Sequence, residues 1–76
     1  MKKIMVIGAG GIGSFLIPLL SKVGTDRYSI TVYDPDTVEK KNLTYQNFRK
    51  KEVGENKALC MQKRYTVEGL PYKVLS

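Results

Sequence analysis

Ile4-Met5-Val6-Ile7-Gly8-Ala9-Gly10-Gly11-Ile12-Gly13-Ser14 is the stretch that decides the fold. The apolar run Ile4 to Ile7 is too short for a helix and ends on glycine, the pattern of a strand buried on both faces. Gly8, Gly10 and Gly13 then form G-x-G-x-x-G, and Phe15, Leu16, Leu19, Leu20 and Val23 follow at helical spacing. The glycines therefore occupy a strand-to-helix turn, the setting in which this motif binds phosphate. There the first glycine permits the bend, the second lets a pyrophosphate approach the backbone, and the third lets the helix pack closely on the strand. The free N–H groups that open the helix complete a site for negative charge.

Working outward, a helix is expected from Ile12 to Lys22, with Gly24 as its C-cap and Pro18 kinking it or loosening its first turns. Tyr28 to Tyr33, rich in β-branched and aromatic residues, reads as the second strand, and Asp34 ends it. Asp34 lies about 20 residues past the last motif glycine, where a dinucleotide-binding fold sets an acid on the ribose hydroxyls. The competing reading is an aspartate that merely opens a turn with Pro35. Asp34 to Glu52 is a long polar connection in which only Leu43 and Phe48 stand out as anchors; a loop of that length in a compact domain is functional or disordered. Glu55 to Val67 reads as a second helix with Ala58, Met61 and Tyr65 as its buried stripe. Gly69 and Pro71 break it, and Tyr72 to Leu75 is expected to form a third strand. The order predicts an α/β fold, a Rossmann-like doubly wound parallel sheet in a β-α-β-loop-α-β fragment with strand order 3-2-1. The first strand is then an apolar edge. Such an edge belongs to a longer domain or associates with another chain, as in a homo-oligomer. Residues 1–76 are read as the N-terminal part of one nucleotide-binding domain.

The 76-residue chain carries a formal net charge of +6 and no histidine. It has no histidine triad, no His ligand for zinc and no side chain that ordinarily titrates near neutrality. The single cysteine, Cys60, excludes an intrachain disulfide, and no signal-like or membrane-length apolar run is present; both fit a reducing cytoplasm and argue against a membrane. Next to Met61 of the apolar stripe, Cys60 reads as a small buried hydrophobe. Between Lys40 and Arg64 eight basic residues stand against two acidic ones, so the charge excess sits there. That field draws polyanions, whether nucleotide phosphates or nucleic acid, although a solvated lysine-rich face has the same composition.

A longer pattern is more informative than the glycines. Gly10-Gly11, then Asp34-Pro-Asp36-Thr-Val38, Asn42-Leu43-Thr44-Tyr45-Gln46 and Val53-Gly54-Glu-Asn-Lys57-Ala58 stand in order over nearly the whole chain. This set resembles the ATP-binding half of the family that adenylates ubiquitin and the sulfur-carrier proteins of molybdopterin and thiamine synthesis. That family's pattern is G-x-G-G-x-G, D-x-D-x-V, N-L-x-R-Q and V-G-x-x-K-A. The resemblance implies that Gly8, Gly10, Gly11 and Gly13 frame ATP, that Asp34 holds its ribose hydroxyls, that Asp36 of the D-x-D step also belongs to the ATP site, that Asn42 and Gln46 line the phosphates, and that Lys57 contacts phosphate. It implies Mg2+ as well, with the magnesium aspartate and any thiol-transferring cysteine beyond Ser76.

By the same resemblance, a carboxylate at the C-terminus of a ubiquitin-like or sulfur-carrier protein attacks the α-phosphate of ATP and pyrophosphate leaves. The carboxylate is already ionised, so positioning and electrostatics suffice and the lack of histidine is no obstacle. Three other readings stay open, one of them a nucleotide-binding protein whose chemistry is weakened or lost. A dinucleotide-binding module of a dehydrogenase uses the same glycines and acid, and a basic interaction module would use Lys40 to Arg64 on nucleic acid; the absence of aromatic and basic alternation on a strand makes the last the weakest. One position departs from the family: Tyr45 stands where it has arginine, and a phenol cannot replace a planar cation with forked donors. Arg49, or an arginine of a partner chain, is the expected substitute. Arg49→Ala is then expected to weaken ATP affinity and slow pyrophosphate exchange in the full-length protein, measured by ATP titration and isotope exchange.

Overall fold

The computed structural model describes residues 2–24 and 27–74. Its elements are β1 (Lys2–Ile7), α1 (Gly11–Gly24), β2 (Tyr28–Tyr33), α2 (Lys57–Arg64) and β3 (Glu68–Leu70). All three strands are parallel, in the order β1-β2-β3, which is 3-2-1 from the other edge. Ile4 lies beside Ile30 and Val6 beside Val32, and Val32 in turn beside Gly69. Both crossovers step in the same direction, so right-handed connections set both helices on one face of the sheet. The core sits in that layer, where Val6, Ile30 and Val32 meet Ile17 of α1 and Ala58 and Met61 of α2.

Several expectations need correction. The apolar run of β1 is not buried on both faces: Val6 is covered, but Met5 and Ile7 on the opposite face are 54% and 70% exposed. Alternation along the strand sends these residues away from the helical layer, and no second layer covers them among the described residues. The apolar side chains of α1 are likewise split. Ile17 is fully buried and Leu20 packs on the core, whereas Ile12, Phe15, Leu16 and Leu19 face outward. The helix starts at Gly11 and continues through Pro18 to Gly24.

Around α2 the boundaries move inward. The helix spans Lys57–Arg64, capped by Asn56 at its start and closed by Tyr65, whose N–H donates to the Met61 carbonyl at 2.9 Å. The third strand is Glu68–Leu70, upstream of the expected Tyr72 to Leu75, and Leu75 lies outside the described residues. Gly69 looks like a helix breaker in the sequence, yet it is a buried strand residue whose missing side chain admits α2: a Cβ there would overlap the Ala58 carbonyl oxygen. Pro71 then ends the pairing, since it has no N–H for the ladder.

The polar connection between β2 and α2 is ordered by single turns rather than by periodic structure. Lys40–Thr44 and Lys50–Glu52 form short 3-10 turns. Phe48 is buried and Leu43 packs against the core, as expected, and Val38 joins them at 1% exposure. Gly13 fixes how closely α1 can approach the end of β1, because a Cβ there would overlap the Gly8 carbonyl oxygen, a backbone atom that cannot yield. Gly13→Ala is therefore expected to destabilise the fold by about 2–3 kcal/mol, the cost of overpacking a rigid contact, read as a lower urea midpoint at unchanged slope.

Candidate functional site

The glycine turn is built from both sides of the sheet edge. Gly8 sits at φ +95°, a conformation that side chains rarely adopt, and its N–H donates to the Tyr33 carbonyl at 2.8 Å. The chain then doubles back so that Ala9, fully buried, donates its N–H to Asp34 Oδ2 at 2.6 Å. α1 begins at once, with Ser14 N–H donating to the Gly10 carbonyl at 2.7 Å. A Cβ on Gly11 would meet nothing, whereas one on Gly10 would lie 3.7 Å from Gln46 Nε2. The turn thus faces open space on one side and the Gln46 amide on the other.

Asp34 is 4% exposed and its carboxylate is shared, with Oδ2 on Ala9 and Oδ1 accepting from Asp36 N–H at 2.8 Å. Its carbonyl accepts from Asn56 Nδ2 at 2.8 Å, and the same amide donates to the Asp36 carbonyl at 3.2 Å. Asn56 Oδ1 meanwhile accepts from Leu59 N–H at 3.0 Å, capping α2. Lys57, the first residue of that helix, donates its N–H to the Asp36 carbonyl at 2.9 Å. Its side chain is buried to 7% exposure and forms no ion pair among the described residues. The glycine turn, Asp34 and Lys57 therefore converge at the carboxyl end of the sheet, where open α/β sheets bind ligands.

The remaining expected residues separate. Asp36 joins the site through its backbone, its side chain being exposed. Asn42 is 3% exposed, and Oδ1 accepts from Glu39 N–H at 2.7 Å, so this end of its amide shapes the 3-10 turn. Gln46 is brought to the turn and Tyr45 stands 57% exposed next to it, beside Ile12, Phe15 and Leu19. Arg49 is not brought there: it lines a separate concavity with Lys51, Lys63 and Arg64. Below it Arg64 Nη1 pairs with Glu52 Oε1 at 3.2 Å, both side chains being nearly buried, and Glu52 also caps Arg49 N–H at 2.8 Å. Sequence reading missed Ser14, Asn47 and Asn56. The signals were there: a capping residue directly before a helix, and a proline four residues after Ser14. Among the described residues no three Asp, Glu or Cys side chains gather as a metal site, and no helix is long and apolar enough to cross a membrane.

A parallel sheet with a glycine-rich turn, an acid ending the second strand and a lysine opening the second helix defines a Rossmann-like α/β domain. The comparisons make the class particular. Residues 1–67 match the model of the ThiF family, and the chain belongs to that family. It is 43% identical over 61 residues to the adenylyltransferase and sulfurtransferase UBA4 of Candida albicans, covering 79% of this chain and 14% of that protein. It is 44% identical over 57 residues to the NEDD8-activating enzyme E1 catalytic subunit of Dictyostelium discoideum, covering 74% of this chain and 12% of that one. The chain thus spans about one seventh of these relatives' length. The crystal structure of selenomethionine PaaA shares the fold, with a TM-score of 0.82 at 24% identity over 99% of this chain and 25% of that one.

Cys60 takes no part in the site. It is fully buried in α2, and burial, reinforced by the negative charge of Glu52, pushes its thiol up to about 11. This is the inert, structural cysteine expected from its place in the apolar stripe. An acid that holds its proton more tightly when folded stabilises the fold only while the unfolded thiol is also protonated. Stability is therefore expected to fall as pH rises from about 9 to 11, by up to about 1.4 kcal/mol per pH unit. Urea midpoints across that window measure it, and Cys60→Ala should flatten the slope whatever its effect on the level.

Proposed function

We propose that this chain forms the ATP-binding part of an enzyme that activates a carboxylate as its acyl-adenylate. One observation carries the reading: at the carboxyl end of the sheet a buried lysine, with no carboxylate partner among the described residues, opens a helix beside the glycine turn and Asp34. A cation at a helix N-terminus is misplaced until an anion arrives, because the helix dipole there repels it and attracts phosphate. With ATP bound, the N–H groups at the start of α1 and the Lys57 ammonium hold the phosphates, and Asp34 accepts from the ribose hydroxyls with the lone pairs its backbone bonds leave free. Gln46 and the Asn42 turn close the phosphate side.

The bond that forms joins a substrate carboxylate oxygen to the α-phosphorus, and the one that breaks releases pyrophosphate with its electron pair. No proton moves, so these residues contribute position and charge alone. Magnesium, travelling with the nucleotide, adds charge neutralisation on the phosphates. The relatives' printed names, an adenylyltransferase and sulfurtransferase and a ubiquitin-like modifier-activating enzyme, support the C-terminus of a ubiquitin-like or sulfur-carrier protein as the acyl substrate. Residues 1–76 are proposed as the nucleotide-binding portion of that enzyme's domain, acting in the cytoplasm, with the unpaired edge of β1 as the place where a further chain or strand associates.

A dinucleotide-binding module is the second reading, since the glycine turn and Asp34 serve NAD as well as ATP. Titration by calorimetry separates the two: ATP is expected to bind and NAD to bind at least about tenfold more weakly. Lys57→Met, which keeps the apolar stem and removes the charge, is expected to lower ATP affinity about tenfold without lowering the urea midpoint. Undiminished ATP binding by that variant, or a preference for NAD, would overturn the proposal.

A further inference from the structure

Pro18 lies inside α1 without ending it. Proline has no N–H, so the carbonyl four residues earlier, that of Ser14, loses its partner in the helix. It does not stay bare: Asn47 Nδ2 donates to it at 2.9 Å. The Asn47 backbone N–H donates to Ser14 Oγ at 2.9 Å, and Ser14 is fully buried. From the other side Arg64 Nη2 donates to the Asn47 carbonyl at 2.8 Å. Among the described residues, both hydrogen bonds that join the 39–53 segment to α1 come from this one asparagine.

The neighbouring residue gives this contact its consequence. Gln46 lies against Gly10 of the turn, and its Oε1 is buried without a hydrogen-bond partner. A buried carbonyl without a partner costs free energy, so where Gln46 stands depends on the backbone that carries it. Asn47, tied to α1 at two atoms and to α2 at a third, fixes that backbone beside the turn.

We infer that Asn47 is the positioning residue of the nucleotide site, docked into the gap that Pro18 opens in α1 and holding Gln46 against the glycine turn. The inference rests on the nucleotide reading above and adds a residue pair to it. Asn47 acts through Gln46 and has no assigned contact with ligand, whereas Pro18 matters for the hydrogen bond it cannot make.

ATP titration of the chain and its variants, beside urea unfolding, tests this. Asn47→Ala is expected to weaken ATP about tenfold. Pro18→Ala supplies the missing N–H, which competes with Asn47 for the Ser14 carbonyl; it is expected to weaken ATP in the same direction while raising stability or leaving it unchanged. A structural role alone cannot produce that pair of results. In a Gln46→Ala background neither substitution should reduce affinity further. ATP affinity held within about twofold in both variants, or an equal loss in the Gln46→Ala background, overturns the positioning role and leaves the nucleotide reading intact. A wild-type chain indifferent to ATP overturns both.

Discussion

The structure turns on the carboxylate of Asp34. Through its side chain it holds Ala9 of the glycine turn and Asp36 of the following segment, through its carbonyl it receives the cap of α2, and through its N–H it reaches the Leu70 carbonyl at 3.1 Å. The ends of all three strands and the start of one helix are thus fixed to a single residue. An ionised carboxylate makes stronger hydrogen bonds to N–H groups than a neutral acceptor would, which is why an acid can sit at 4% exposure with no cation paired to it among the described residues. The geometry also separates two duties. The lone pairs spent on backbone amides set the shape of the turn, and the remaining ones are available to a ligand.

A second constraint comes from what α1 lacks. A proline inside a helix is ordinarily a defect, since it removes one hydrogen bond and crowds the carbonyl behind it. Here the freed carbonyl is the attachment point for the segment that carries Gln46, so a local rule is broken where a distant contact needs it. The same economy appears at Asn56, where one amide both caps α2 and clamps the end of β2.

Much of this was legible. Tyr28 to Tyr33 coincides with β2 because β-branched and aromatic residues crowd there between turn-forming neighbours, and the glycine spacing located the turn because Gly8 and Gly13 each have a separate steric reason to lack a side chain. The failures have physical causes too. An apolar run shows that β1 prefers to be covered on both faces but not what covers it, so Met5 and Ile7 could not be placed from sequence. Gly69 carries the same letter whether it breaks a helix or lets one lie close on a strand, and only the approach of Ala58 decides between them. The segment from Lys40 to Glu52 has no period to detect, because 3-10 turns of three to five residues repeat nothing. Arg49 and Lys57 look alike as basic residues near polar motifs; burial and element boundaries separate them, and neither is visible in composition.

Lys57 shows how stability and binding are divided. Lys57 is 7% exposed as a residue and stands at the N-terminal end of α2, whose dipole opposes a cation there. That opposition weighs against the unliganded fold, and nothing among the described residues offsets it with a carboxylate. An anion placed beside the lysine and the helix starts would reverse this, since the dipole and the cation then act on it with the same sign. On the proposed reading the phosphates of the nucleotide supply that anion. Neutralising the lysine from within the chain would then stabilise the empty domain at the expense of the proposed complex, the trade expected where a site is held ready for a ligand.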